Sequence, residues 1–114
     1  MSDCLFCKIA RGEIPAQIVH QDEQITAFRD INPQAPVHLL IIPTQHVGSV
    51  AELGPGNGAL LAGMVTTANR LAEQEGIGET GYRLVFNMGA DAGMSVSHLH
   101  LHLLGGRRLA WPPG

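Results

Sequence analysis

The sequence predicts an α+β fold: a mainly antiparallel five-stranded sheet with one long helix and a short N-terminal helix. Three observations predict it. The run "VHLLIIP" is β-branched and apolar, the mark of a buried strand. Between Leu60 and Ala72 the apolar residues recur at helical spacing. The run "HLHLHLL", His98 to Leu104, alternates strictly, as a half-buried strand does. At 114 residues one domain is expected, spanning 1–114, with 105–114 as a C-terminal tail.

The elements follow in order. "CLFCKIARG" is a short apolar stretch ended by Gly12 and predicts one or two helical turns. "AQIVHQDEQITAFRD" reads as two strands around the polar turn Gln21–Gln24, a hairpin. "INPQAP" holds two prolines and must be a loop, and Pro43 ends the strand after it. "AELGPGNG" is a turn. From about Asn57 the period changes: Leu60, Leu61, Met64, Val65, Ala68, Leu71 and Ala72 share one helical face, and Gly76 stops the helix. "YRLVFNM" is a fourth strand, "GADAGMS" a loop and "HLHLHLL" the fifth strand. Pro112 and Pro113 forbid regular structure in the tail.

Apolar residues make up 45% of the chain and charged residues 15%, enough for a real core. A net charge of −3 argues against a nucleic-acid surface, which would carry a basic patch. No apolar run is long enough to cross a membrane. The start "MSDCLFCKIARG" lacks the basic-then-apolar pattern of a secretory leader, so a cytosolic protein is expected. In a reducing compartment Cys4 and Cys7, spaced C-x-x-C, point to metal or redox chemistry rather than a structural disulfide.

Three of the six histidines fall at His98, His100 and His102. On a strand they share one face, roughly 7 Å apart, while Leu99, Leu101 and Leu103 share the other and pack on the helix. A lone strand histidine is ordinarily structural. Three in alternation are not, because each needs a hydrogen-bond partner if buried. Nor can all three meet at one ion, since His98 and His102 stand too far apart for bonds of about 2 Å. Imidazole is the side chain best suited to act as base, nucleophile or proton donor near neutral pH. The loop just upstream carries Asn87, Gly89, Gly93 and Ser95, a composition that suits an anion. A glycine loop followed directly by an imidazole row reads as a phosphate site.

These residues carry a resemblance. "HLHLHLL" resembles the His-x-His-x-His-x-x pattern, with x apolar, that names the histidine triad superfamily of nucleotide hydrolases and transferases. "FCKI", "GEIPA", "AFRDINPQAP", "HLLIIP", "GYRLVFN", "HLHLHLLGGR" and the closing "WPPG" are similar to its nucleotide-binding protein branch over nearly the whole chain. The resemblance implies a homodimer whose two sheets join into one. It implies binding of purine nucleoside monophosphates and hydrolysis of AMP or GMP phosphoramidates through a covalent nucleotidyl-histidine, with no nucleic-acid or membrane partner.

Carried over by position, the resemblance makes His100 the nucleophile and sets His102 and His38 beside the phosphate. Asn87, Gly93 and Ser95 would donate to its oxygens, Ser95 also lying near the leaving nitrogen. Asp30 would accept from the ribose hydroxyls; otherwise it is a turn-former before "INP". Phe6, Ile9, Ile31 and Leu40, with Leu5, would sandwich the purine; each alone reads as plain core. Trp111 would belong to a tail that reaches the partner's site, or else anchor the C-terminus. Some triad proteins complete a metal site with two further histidines, here His46 and His98, and two thiolates with two imidazoles suit structural Zn²⁺. No cofactor is required for the chemistry.

The sequence departs from the family at two places. Met94 stands where glutamine is usual, and a thioether cannot donate to a phosphate oxygen. That weakens the alternative of a dinucleoside polyphosphate hydrolase or nucleotidyl transferase. Ser97 replaces an aromatic residue, with a local packing change expected. A third alternative is a nucleotide-binding regulatory protein with incidental activity.

Overall fold

In a computed structural model that describes residues 4–114, a short helix α1 (Leu5–Ala10) precedes the hairpin β1 (Ile18–Gln21) and β2 (Ile25–Arg29). Strand β3 (Val37–Pro43), helix α2 (Gly58–Gln74), β4 (Tyr82–Val85) and β5 (Leu101–Gly105) follow. Met1–Asp3, the start of the expected domain and of the segment read for a leader, lie outside the described residues. The five strands form one antiparallel sheet in the order β1-β2-β3-β5-β4, so the last strand inserts between the third and fourth. Among the described residues no helix is long and apolar enough to cross a membrane.

Each turn has a local cause. Helix α1 closes on Arg11, and Gly12 takes φ +76°, which a residue with a Cβ rarely adopts. At the hairpin, Asp22 Oδ1 accepts from the N–H groups of Gln24 and Ile25 at 2.7 and 2.8 Å, so the side chain builds the turn. The bidentate pair between Arg29 and Glu75, at 2.9 and 2.8 Å, ties the end of β2 to the C-cap of α2.

The sheet buries both faces. Val37, Leu39 and Ile41 of β3 join Leu99, Leu101 and Leu103 beneath Met64, Ala68, Leu71 and Ala72 of α2. Leu40 and Ile42 of β3 face the other way, with Phe28, under Phe6 and Ile9 of α1. The helical arc differs from expectation at one place. Leu61 lies on its flank and stays 37% exposed, whereas Thr67 turns inward and is buried.

The fifth strand also differs. It begins at Leu101, not His98, because the ladder with β3 ends at the pair Ile41 and Leu101. Two residues on, Pro43 has no N–H to offer. The Leu99 N–H turns instead to the Val47 carbonyl at 2.6 Å. The leucines keep their side of the sheet through this break. The histidines keep theirs too, but His98 reaches Cys4 and Cys7 at the start of α1 while His100 and His102 lie further along the same face.

Candidate active site

On the α1 side of the sheet lies a cleft of about 880 Å³, lined by residues of α1, β2, β3 and the segment leading into β5. His100 and His102 lie side by side in it, ring centroids 5.0 Å apart. His38, on β3, does not line the cleft itself but stands behind His102, its Nε2 2.9 Å from His102 Nδ1. It is one diagonal step from His102 across the ladder, where β3 pairs Leu40 with His102 and His38 with Leu104. Phe6 lays its ring edge-on to His100 at 5.2 Å and to Phe28 at 5.3 Å, roofing the cleft from α1.

The hydrogen bonds fix which nitrogen of each ring carries the proton. His100 Nδ1 is 2.7 Å from the His98 carbonyl oxygen, which can only accept, so Nδ1 is protonated and Nε2 keeps its lone pair. The Gln34 N–H donates to His38 Nδ1 at 3.0 Å, so the proton of a neutral His38 sits on Nε2. That Nε2–H is 2.9 Å from His102 Nδ1 and 3.4 Å from Asp30 Oδ2. His102 Nδ1 therefore accepts, and His102 Nε2 carries the proton. Asp30, His38 and His102 offer ligand atoms within 4.8 Å of one another. Because His38 Nε2 presents a proton and no lone pair, the three form a proton relay and not a donor set for a cation.

Burial favours the neutral form of His102 and of His38. It is the largest cause that pushes His102 down to about 4; His100 and His38 push the same way, and Asp30 opposes them. Burial likewise lowers His38 against the pull of Asp30. The consequence for stability has a definite sign. Below pH about 6.5 the unfolded chain takes up a proton that folded His102 refuses until about pH 4. Stability is therefore expected to fall as the pH drops through that window, by about 3 kcal/mol from this ring. Urea unfolding at several pH values checks it: His102→Asn should flatten the slope, and equal slopes in both proteins would contradict a depressed His102.

Most of the residues singled out from sequence come together here. Leu5, Phe6, Ile9, Asp30, Ile31, Leu40, Ser95, His100 and His102 line the cleft, with Leu5 and Ile31 on its exposed rim. Asp30 is also the turn-former, its Oδ1 accepting from the Asn32 N–H at 2.8 Å. Asn87 and Gly93 do not line the cleft. The Gly93 N–H is spent on the Ala90 carbonyl at 3.0 Å, and its φ of +82° explains the glycine. The Gly89 N–H goes to Met94 Sδ at 3.5 Å, so neither glycine offers an anion its amide, and the thioether serves its own loop. Trp111 is 81% exposed, so it is no buried anchor among the described residues; Arg83 holds the tail, through the Ala110 carbonyl at 3.0 Å. Ile14, Pro15, Ala16, Gln17, Phe28, Arg29, Pro33 and Val96 complete the lining and were not singled out.

His98 points away from the cleft. Its Nδ1 lies 3.2 Å from Cys4 Sγ and 3.4 Å from Cys7 Sγ, and Cys7 Sγ lies 3.3 Å from His46 Nδ1. The four donor atoms fall within 4.8 Å of one another. His98 Nε2 donates to the Pro43 carbonyl at 3.0 Å, which leaves Nδ1 with the lone pair a metal needs. Tetrahedral zinc with sulfur and nitrogen ligands spaces them roughly 3.3–3.8 Å apart, so the cluster has the donor chemistry and nearly the dimensions of such a site.

Comparison with known proteins agrees with this geometry. The family profile described as "Scavenger mRNA decapping enzyme C-term binding" matches residues 3–108. An uncharacterized HIT-like protein of Synechococcus elongatus is 53% identical over 112 residues, 98% of this chain and 97% of that one. The chain belongs to the histidine triad family. A purine nucleoside phosphoramidase of Escherichia coli K12 is 50% identical over 107 residues, 94% of this histidine triad protein and 90% of the relative. The crystal structure of a HIT family hydrolase from Legionella pneumophila superposes with a TM-score of 0.96 at 55% identity, covering 98% of this chain and 100% of that one.

Proposed function

We propose that this histidine triad protein is a purine nucleoside phosphoramidase that hydrolyses AMP and GMP phosphoramidates through a nucleotidyl-histidine. The observation that carries the reading is the ordering of protons in the cleft. A lone pair on His100 Nε2 stands beside a proton on His102 Nε2, the pairing that attack on a phosphoryl group requires. The likeness to the phosphoramidase of E. coli supports it.

In the proposed reaction His100 Nε2 forms a bond to the α-phosphorus as the P–N bond breaks. The amine leaves with a proton for which Ser95, on the cleft wall, is the nearby hydroxyl donor. His102 Nε2–H donates to a phosphoryl oxygen, and His38 behind it keeps its donor orientation. The His98 carbonyl holds Nδ1–H as the His100 ring becomes cationic. Water then attacks phosphorus, gives its proton back to Ser95, breaks the P–N bond to His100 and releases the nucleoside monophosphate. Asp30 accepts from the ribose, and the apolar wall of Phe6, Ile9 and Leu40 takes the purine.

The same reading includes a homodimer, a cytosolic location and structural Zn²⁺ on Cys4, Cys7, His46 and His98, where the metal would pin α1 to the segment before β5. The outer edge of β4, which pairs with β5 alone, supports a joined sheet. Met94 bonded to its own loop speaks against a phosphate-bridging role and hence against dinucleotide cleavage. The test is direct: offer an AMP-amine phosphoramidate and a diadenosine polyphosphate to the same preparation. Turnover of the first is expected. Rapid cleavage of the second with none of the first would overturn the assignment.

A further inference from the structure

The arrangement behind His38 points to a residue that acts on the cleft without touching it. The proton order of the relay starts at one backbone N–H, that of Gln34, in the loop between β2 and β3. This loop is braced from within: Asp30 Oδ1 takes the Asn32 N–H, and Gln34 Nε2 donates to the Asn32 carbonyl at 2.9 Å. It is braced from outside by the chain leaving β5. Arg107 Nη2 donates to the Gln34 carbonyl at 3.0 Å, while its Nη1 reaches the Arg108 carbonyl at 3.0 Å.

The two glycines before Arg107 make that reach possible. A Cβ on Gly106 would stand 2.9 Å from Pro36 Cβ, at a φ of +91°. A Cβ on Gly105 would stand 2.6 Å from Ile77 Cδ1. The missing side chain of Gly106 lets the chain pass flush against Pro36, that of Gly105 leaves room for Ile77, and the chain then delivers a guanidinium to the residue whose amide orders the relay.

We propose that Arg107 is a positioning residue: it clamps the loop at Gln34, so that the Gln34 N–H holds His38 with its proton on Nε2 and thereby keeps His102 a donor to phosphate. The kinetic consequence rests on the phosphoramidase reading; the proton order does not. In the nucleotide-free wild type, ¹⁵N imidazole spectra should show His38 and His102 both protonated on Nε2. Arg107→Ala should average the two tautomers of His38, lower kcat roughly 10-fold and leave KM within about twofold. Arg107→Lys, which can still donate to the carbonyl, should recover part of the rate. Gln34→Pro removes the N–H itself, and Arg107→Ala should add little to it in the double variant. Should Gln34→Pro not fold, the Arg107 variants carry the test alone.

A wild-type spectrum with His38 protonated on Nδ1 would overturn the proposal. So would an Arg107→Ala protein with unchanged tautomers, whether or not its rate falls. If the tautomers shift as expected but the wild type turns over no phosphoramidate, the assigned reaction fails and the positioning role stands.

Discussion

Replacing His100 by asparagine is expected to abolish phosphoramidate turnover, by on the order of 10⁴-fold or more, while AMP still binds with nearly its wild-type affinity. Asparagine fills similar space and can still donate to the His98 carbonyl, the contact His100 Nδ1 makes at 2.7 Å. What it lacks is the lone pair on the far side of the ring, on the nitrogen proposed to form the bond to phosphorus. His102 cannot take over, because its Nε2 carries a proton and its Nδ1 is engaged by His38. The measurement is single-turnover release of AMP beside equilibrium AMP binding. Equal slow release from both proteins, with binding intact, would leave a nucleotide-binding protein with incidental activity.

Removing the proposed zinc should have the second large effect. The freshly purified protein should hold about one zinc per chain; well under one would sink the metal reading. Chelation, or the double substitution Cys4→Ser with Cys7→Ser, should lower Tm by about 10 °C or more. The reason lies in α1. A helix of six residues has no stability of its own, and the cluster would tether it through both cysteines. Structural zinc sites in small domains bind with roughly 10–16 kcal/mol, much of it realised as folding. Because Phe6 and Ile9 sit on that helix, loss of the metal should also raise KM for the nucleotide several-fold, a readout separate from melting.

What could be read in the sequence was whatever has a period. Leu99, Leu101 and Leu103 and the helical arc declare their faces by spacing alone, and all but Leu61 of the arc point to the core as expected. Phe28 was readable in the same way, since it lies two residues before Asp30, and the two line one cleft. The start of β5 was not, because it is set by Pro43 on another strand. The Gln34 amide carries no side-chain signature at all. Gly93 misled for a related reason: a glycine kept for its backbone angle looks, in a sequence, like one kept for an anion. "GEIPA" marked a segment without saying that Ile14, Pro15 and Ala16 wall the cleft.

The break in pairing before Leu101 has a further consequence. The three imidazoles of the repeat all face the α1 side of the sheet, yet they do not share one chamber. Instead the chain turns at His98, and the Phe6 ring stands edge-on to both neighbours, 6.0 Å from His98 and 5.2 Å from His100. The ring works as a septum. On one side lies a nitrogen that must stay available to phosphorus; on the other lies a nest of sulfur and imidazole with every appetite for a soft cation. On the proposed reading, a single hydrocarbon partition would let one short repeat serve two incompatible chemistries and keep the nucleophile from capture by a metal.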